Sequence, residues 1–384
     1  MKITFFSNFM SHHQEGVSNS LFSLSDIEYH FVACTPISQE RINLGFDDMN
    51  KKYKYIIRAY ENDEQYNLAK ELATSSDVII FGSGNKEFLD IRMSTHKLTF
   101  TYSERLFKKG IYRRFIPMTY KKIYNSYIKY KKEPLYILCS SAYTSYDLSL
   151  CGFPVEKCFK WGYFPTFENH NITELISHKN PTEILWAGRF IDWKHPEVPI
   201  YLAEMLKKDN LSFHVTMLGN GDKMEHIKNL IAKKKLENVI TLEGSVPPNV
   251  VKNRMQTASI FLSTSDFQEG WGAVLNEAMS SGCACVASHA IGAAPYLIKD
   301  SQNGFIYKNG DIKDLYNKVK LLLSNRDLCN SIGIEAYTTI KNVWNEKNAV
   351  NKLIELINNI NSSQLLELDD GVCSNAQILK NNWY

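Results

Sequence analysis

Residues 260–288 read IFLSTSDFQEGWGAVLNEAMSSGCACVAS. An apolar run (IFLST, 260–264) gives way to a polar loop, then a helix-like stretch (WGAVLNEAMSS), then a second apolar run (CACVAS, 283–288). Two short apolar strands joined through a helix make a βαβ unit, whose strands lie parallel because the connection crosses the sheet. The alternation extends outward on both sides. EILWAG (183–188), FHVTMLG (213–219) and VITLEG (239–244) precede it and GFIY (304–307) follows, with helical stretches such as PEVPIYLAEMLKK and DKMEHIKNLIAKKK between. This predicts a parallel, doubly wound sheet, which takes ligands at the carboxyl ends of its strands.

The first half repeats the pattern less regularly. Candidate strands are KITFFS (2–7), EYHFVAC (28–34), DVIIFG (77–82), KLTFTY (97–102), LYILCS (135–140) and CFKWGYF (158–164). The stretch PTFENHNITELISHKNPTE (165–183) is polar and reads as a linker. Past residue 323 only helices are expected, at about 325–341 and 346–360, then a polar tail. A chain of 384 residues suits two α/β domains around a cleft, divided near residue 165.

Composition narrows the class. With 44% hydrophobic and 22% charged residues the chain reads as soluble and globular. No apolar run reaches the roughly 18 residues of a membrane span, and MKITFFSN reads as a first strand, not a secretion signal. None of the eight cysteines forms a CxxC pair or neighbours a spaced His pair, which predicts neither zinc nor redox chemistry and fits a reducing cytosol. The net charge of +3 hides an asymmetry, because residues 105–132 (RLFKKGIYRRFIPMTYKKIYNSYIKYKK) hold ten Lys or Arg and no acid. The other 34 basic and 41 acidic residues leave the rest of the chain at −7, so one segment predicts a local anionic partner.

Within that segment Ile116, Tyr120, Ile123, Tyr127 and Tyr130 recur at helical spacing. Tyrosines and cations without acids suit an anionic lipid surface, with Arg113, Arg114, Lys121 and Lys122 facing it. No nucleic-acid motif accompanies the charge. The plainer alternative is a helix packed on its own sheet with solvated lysines.

The residues with most chemical content follow the strands of the second half. In FQEGWGAVLNEAMSSG (267–282), Gly270 and Gly272 allow close backbone approach to an anion. The free N–H groups of Gly270, Trp271, Gly272 and Ala273 would donate to a diphosphate at the helix start. Glu269 is expected in the loop, and Glu277 about two turns into the helix, holding a ribose hydroxyl pair. In WAGRFIDWKHPE (186–197), Arg189 and Lys194 converge beside another helix start, a pattern suited to a diphosphate whose charge grows as it leaves. Gly219 and Gly221 in MLGNGDKME form a GxG turn at the next strand end, weak evidence alone.

These motifs, with CACVASHAIGAAPYLIKDSQNGFIY behind them, resemble the family 4 glycosyltransferases of the GT-B fold, most closely from 183 to 310. The resemblance implies two Rossmann-like domains facing a cleft: 1–165, completed by a C-terminal helix and tail (343–384) crossing back, and a nucleotide-sugar domain, 166–342. It implies a diphosphate clamp at Arg189 and Lys194, a base-binding loop at Gly244, Ser245 and Val246, and Glu269 orienting the donor sugar for retaining transfer without metal or other cofactor. The loop SNFMSHHQEG resembles a bacterial surface-polysaccharide branch, with His12, His13, Gln14 and Gly16 where other members carry glycines. Either histidine would donate to a phosphate or the acceptor, and Glu104, just past the strand KLTFTY, would take the acceptor's proton or merely balance its basic neighbours. The partners implied are a nucleotide sugar and a lipid-linked or oligosaccharide acceptor, at the cytoplasmic face of the inner membrane. A nucleotide-sugar epimerase of the same fold, or a non-catalytic nucleotide-sugar-binding protein, are the competing readings.

Overall fold

The computed structural model describes residues 1–39, 42, 47–362 and 369–384 and divides into two compact units. Unit one comprises Met1–Thr166 and Asn345–Lys380; unit two comprises Phe167–Trp344 and Asn381–Tyr384.

The sheet of unit one contains β1 (Lys2–Ser7), β2 (Glu28–Ala33), β3 (Ile56–Arg58), β4 (Val78–Phe81), β5 (Thr99–Ser103), β6 (Leu135–Cys139) and β7 (Cys158–Lys160). They run parallel in the order β3-β2-β1-β4-β5-β6-β7. In β1 and β4, Phe6, Ile79 and Phe81 join one buried cluster, as expected of strands covered on both faces. Each such side chain stabilises the unit by about 1.5–3 kcal/mol relative to exposure. The edge strand β7 is covered by the chain at 373–376, which bridges Phe159 to Asn375 in antiparallel fashion.

Unit two has β8 (Asn180–Ala187), β9 (His214–Leu218), β10 (Ile240–Gly244), β11 (Ala258–Ser263), β12 (Ala284–Ser288) and β13 (Phe305–Tyr307). They are parallel in the order β10-β9-β8-β11-β12-β13. The order reverses between β8 and β11, where Ile184 pairs with Ile260. That switch point brings the loops after β8 and β11 side by side.

Four expectations need correction. The strand Ile56–Arg58 was not anticipated, since three residues give no readable period. The expected linker 165–183 holds a helix, Ile172–Ser177, capped by the Asn171 side chain, and the start of β8. The helix expected over 115–130 spans only Pro117–Ser126, between the short 3₁₀ turns Ile111–Phe115 and Ile128–Tyr130. In place of the expected stripe, Ile123 and Ile128 are buried while Tyr120 is exposed. Finally, Asn381–Tyr384 belong to unit two, so the tail does not wholly complete the first domain. Residues 363–368 of that tail lie outside the described residues.

Candidate active site

The loops at the carboxyl ends of β8, β9 and β10 interlock through their backbones. Gly188 N–H donates to Leu218 C=O (3.0 Å), Phe190 N–H to Asn220 C=O (2.9 Å), and Gly219 N–H to Gly244 C=O (2.7 Å). The approach leaves no room for side chains. A Cβ on Gly219, whose φ is +121°, would lie 2.0 Å from the Gly188 oxygen, and one on Gly221 would lie 2.6 Å from that of Phe190. The GxG turn is thus required by loop packing, and it holds the Arg189–Lys194 loop in place. Gly244 takes a left-handed φ of +72°, leaving Ser245 exposed and Val246 half-buried beside it.

Lys194 and Glu269 come together from two loops. Their side chains form an ion pair at only 14% and 12% exposure. The Ser265 hydroxyl also donates to Glu269 Oε2, at 2.9 Å. Behind the pair, the buried Trp186 indole donates to Thr264 Oγ1 (2.8 Å), and Thr264 donates to the Lys194 carbonyl (2.6 Å). Asp266 N–H donates to Trp193 C=O, and His195, in a left-handed backbone conformation, bridges Glu197 (2.9 Å) and Asp266 (3.4 Å). Hydrogen bonds to Asp266 and Glu197 raise His195 to about 9, so it is a cation at neutral pH. Arg189 is exposed, its guanidinium 5.7 Å from the Trp193 ring centre; Lys194 lies against the same ring. Arg189, Lys194 and Glu269 therefore cluster on one pair of loops.

The helix that follows is Ala273–Ser280, with Gly272 as its N-cap at φ +90°. Trp271 gives the site only backbone. Its indole is fully buried, packs on Tyr296 and Trp344, and donates to Asn276 Oδ1 at 2.7 Å. Gly270 and Gly272 are buried beside it, and Ala273 opens the first turn. Glu277 is the fifth helical residue, about one turn in and not two. Burial raises its carboxyl to about 7, with Lys252 opposing the shift.

A built cluster of two cations and a carboxylate thus stands at a sheet's switch point beside a helix start. Residues 168–339, nearly all of unit two, match the family model described as "Glycosyl transferases group 1". Over most of its second unit the chain thus resembles the group 1 glycosyltransferases. The chain is 28% identical over 212 residues to a poly(ribitol-phosphate) alpha-N-acetylglucosaminyltransferase of Staphylococcus aureus, covering 54% of this chain and 40% of the relative. It is 27% identical over 219 residues to the amylovoran biosynthesis glycosyltransferase AmsK of Erwinia amylovora, covering 55% and 53%. The match therefore spans about half or less of these relatives. Among solved structures, Anabaena Alr3699/HepE in complex with UDP superposes with a TM-score of 0.68 at 13% identity, over 93% of this chain and 100% of that one. The S. aureus TarM structure reaches 0.66 at 15% identity, over 93% and 98%. Both identify the fold as GT-B.

In unit one the expected phosphate loop is largely a helix, His12–Phe22. Ser11 is its N-cap and Gln14 completes the capping box: Ser11 N–H donates to Gln14 Oε1 (3.1 Å), and Gln14 Nε2 to Ser7 Oγ (3.1 Å). Gly16 is a helix-packing glycine, its Cβ position 3.0 Å from both Glu346 Cβ and the Phe164 oxygen. Both are thus used within the unit, Gln14 in the capping contacts at the helix start and Gly16 in close helix packing. His12 and His13 stand at the first turn, with His13 stacked on Tyr163 (5.1 Å). Glu104, half-buried past β5, accepts from Tyr163 Oη at 2.5 Å and pairs with Lys108. Its loop is pinned by the buried Asp147, which accepts from Leu106 and Phe107 N–H (2.8 and 2.9 Å) and pairs with Arg105.

Sequence reasoning missed His195, Thr264 and the C-terminal aromatic pair. His195 sits next to Lys194 in sequence, the one cue available. Tyr384 stacks on His289 (5.7 Å) just past β12, and its hydroxyl donates to Ile306 C=O at 2.6 Å. No pattern links residues that far apart in the chain.

Proposed function

We propose that this protein transfers a sugar, of hexose or N-acetylhexosamine type, from a nucleotide-diphosphate donor to a hydroxyl of a saccharide acceptor in surface-polysaccharide synthesis, with retention and without a metal. The observation that carries the reading is the near-buried Lys194–Glu269 pair beside the N–H groups of the helix Ala273–Ser280. Lys194 and Arg189 suit the leaving diphosphate, and the N–H groups from Gly270 to Ala273 add donors of fixed direction. Glu269 orients donor hydroxyls, while Glu277, Gly219, Gly221, Ser245 and Val246 border the nucleoside. The glycines act by setting backbone position. The UDP in the HepE crystal structure and the polysaccharide names of the relatives support this assignment.

The basic segment supports attachment to an anionic membrane surface on the cytoplasmic side. No helix among the described residues is long and apolar enough to cross a membrane. Phe115 and Met118 are 73% and 84% exposed, flanked by Arg114, Lys121 and Lys122. Arg113 is half-buried and lines a cavity, so it leaves the membrane-facing set.

The test is release of nucleoside diphosphate from uridine, guanosine and adenosine diphosphate sugars, with product anomers read by NMR. Turnover with an acceptor and a retained anomer supports the reading. Epimerised sugar without acceptor, or binding without turnover in every mixture, refutes it. Exchanging Arg114, Lys121 and Lys122 for Gln is expected to abolish sedimentation with anionic liposomes; unchanged sedimentation removes the membrane assignment.

A further inference from the structure

Unit one contains a cavity of about 530 Å³ at the carboxyl ends of β4 and β5. Glu104 lines it, fixed by Tyr163 and Lys108. Each of its oxygens keeps acceptor capacity for a further hydroxyl, since a carboxylate offers about four lone-pair sites. Lys109 and Arg113 line the cavity as well, with Gly110 at φ +110° turning the chain between them. Among the described residues no carboxylate lies within ion-pair distance of either. Arg105 also lines the cavity, but the buried Asp147 balances it. Glu104 balances Lys108 in the same way, so Lys109 and Arg113 leave a net charge of two. The same stretch exposes Tyr112 (62%) just before Arg113, and Phe115 and Met118 after it.

A polar, doubly cationic cavity with one held carboxylate, whose cations are followed in sequence by exposed apolar side chains, matches a particular ligand. A phosphate ester carries about −1.5 to −2 charges at neutral pH, and Lys and Arg are its usual partners. We propose that this cavity is a subsite for a phosphate-bearing acceptor, with Lys109 and Arg113 on the phosphate and Glu104 on a neighbouring hydroxyl. The inference rests on the glycosyltransferase reading, and extends it by naming the acceptor's chemical class. The phosphate could belong to a lipid-linked acceptor, whose chain would meet Phe115 and Met118, or to a soluble phosphate ester.

Calorimetric titration of the full chain distinguishes these. The probes are sn-glycerol 3-phosphate, dodecyl phosphate below its micellar concentration, and the neutral glycerol and dodecyl maltoside. Both phosphates are expected to bind and the neutral compounds not to. At least tenfold tighter binding of dodecyl phosphate marks a lipid-linked source, and equal affinities a soluble one. The double variant Lys109→Gln, Arg113→Gln should weaken phosphate binding about tenfold to a hundredfold, and Lys109→Arg, Arg113→Lys should restore most of it. Equal affinity in the Gln variant, or binding of glycerol as tight as that of its phosphate, overturns the proposal. Binding of uridine diphosphate, titrated in parallel, reports on unit two. A chain that binds the phosphates but turns over no nucleotide sugar would sink the glycosyltransferase reading alone.

Discussion

The Lys194–Glu269 pair sets a measurable coupling between two loops that meet only in the folded chain. Substituting Lys194→Met leaves Glu269 nearly buried, with, among the described residues, only the Ser265 hydroxyl as a side-chain hydrogen-bond partner. Removing one partner of a buried pair costs about 3–5 kcal/mol. The residual 12–14% exposure reduces this to about 2–3 kcal/mol, since some water reaches the orphaned charge. For a unit of this size that is a fall of about 4–12 °C in melting temperature. Glu269→Gln leaves Lys194 against the Trp193 ring and is expected to cost less. The double variant Lys194→Met, Glu269→Gln should be more stable than the sum of the single changes predicts, by about 1–3 kcal/mol. Thermal melts of wild type, both singles and the double close the cycle, and transfer rates for the same four proteins should fall about 10²–10³-fold whenever Lys194 is lost. Additive melting shifts, with a coupling within about 0.5 kcal/mol of zero, would refute the argument that the pair ties the loops together.

Other consequences follow from the same geometry. His195 has its folded-state value raised from 6.5 to about 9, so its stabilisation is fully present below pH 6.5 and lost as pH rises through 9. With roughly a third of the side chain exposed, about 1.5–2 kcal/mol should disappear across that window. His195→Gln should flatten that loss in melts from pH 6 to 10, and an unchanged profile counts against the assignment. Both Gly219 and Gly310 sit at positive φ, but Gly219→Ala also drives a methyl into the Gly188 carbonyl, so its soluble yield or melting point should drop by far more than for Gly310→Ala, where nothing lies within 4 Å. Removing Asn381–Tyr384 takes away the Tyr384 hydrogen bond and its ring stacking on His289, which should cost about 1–2 kcal/mol in unit two. An unaltered melt would mean that the tail adds no stability.

The sequence alone determined the two parallel sheets, because strands buried on both faces read as continuous apolar runs such as IFLS and CVA, and helices must intervene for parallel pairing. It also placed Arg189, Lys194 and Glu269 on loops after strands, where doubly wound sheets take ligands. It could not show that Lys194 pairs with Glu269 across 75 positions, that Thr264 and Trp186 hold the lysine's carbonyl, or that the GxG glycines serve loop packing. Gln14 and Gly16 looked like a ligand loop until the helix began at His12, and the tyrosine stripe of 115–130 dissolved when that helix stopped at Ser126. Periodicity reports only which face of one element is apolar. Which loops meet is set by strand order and by backbone contacts of about 3 Å, and those exist only once the sheet has assembled.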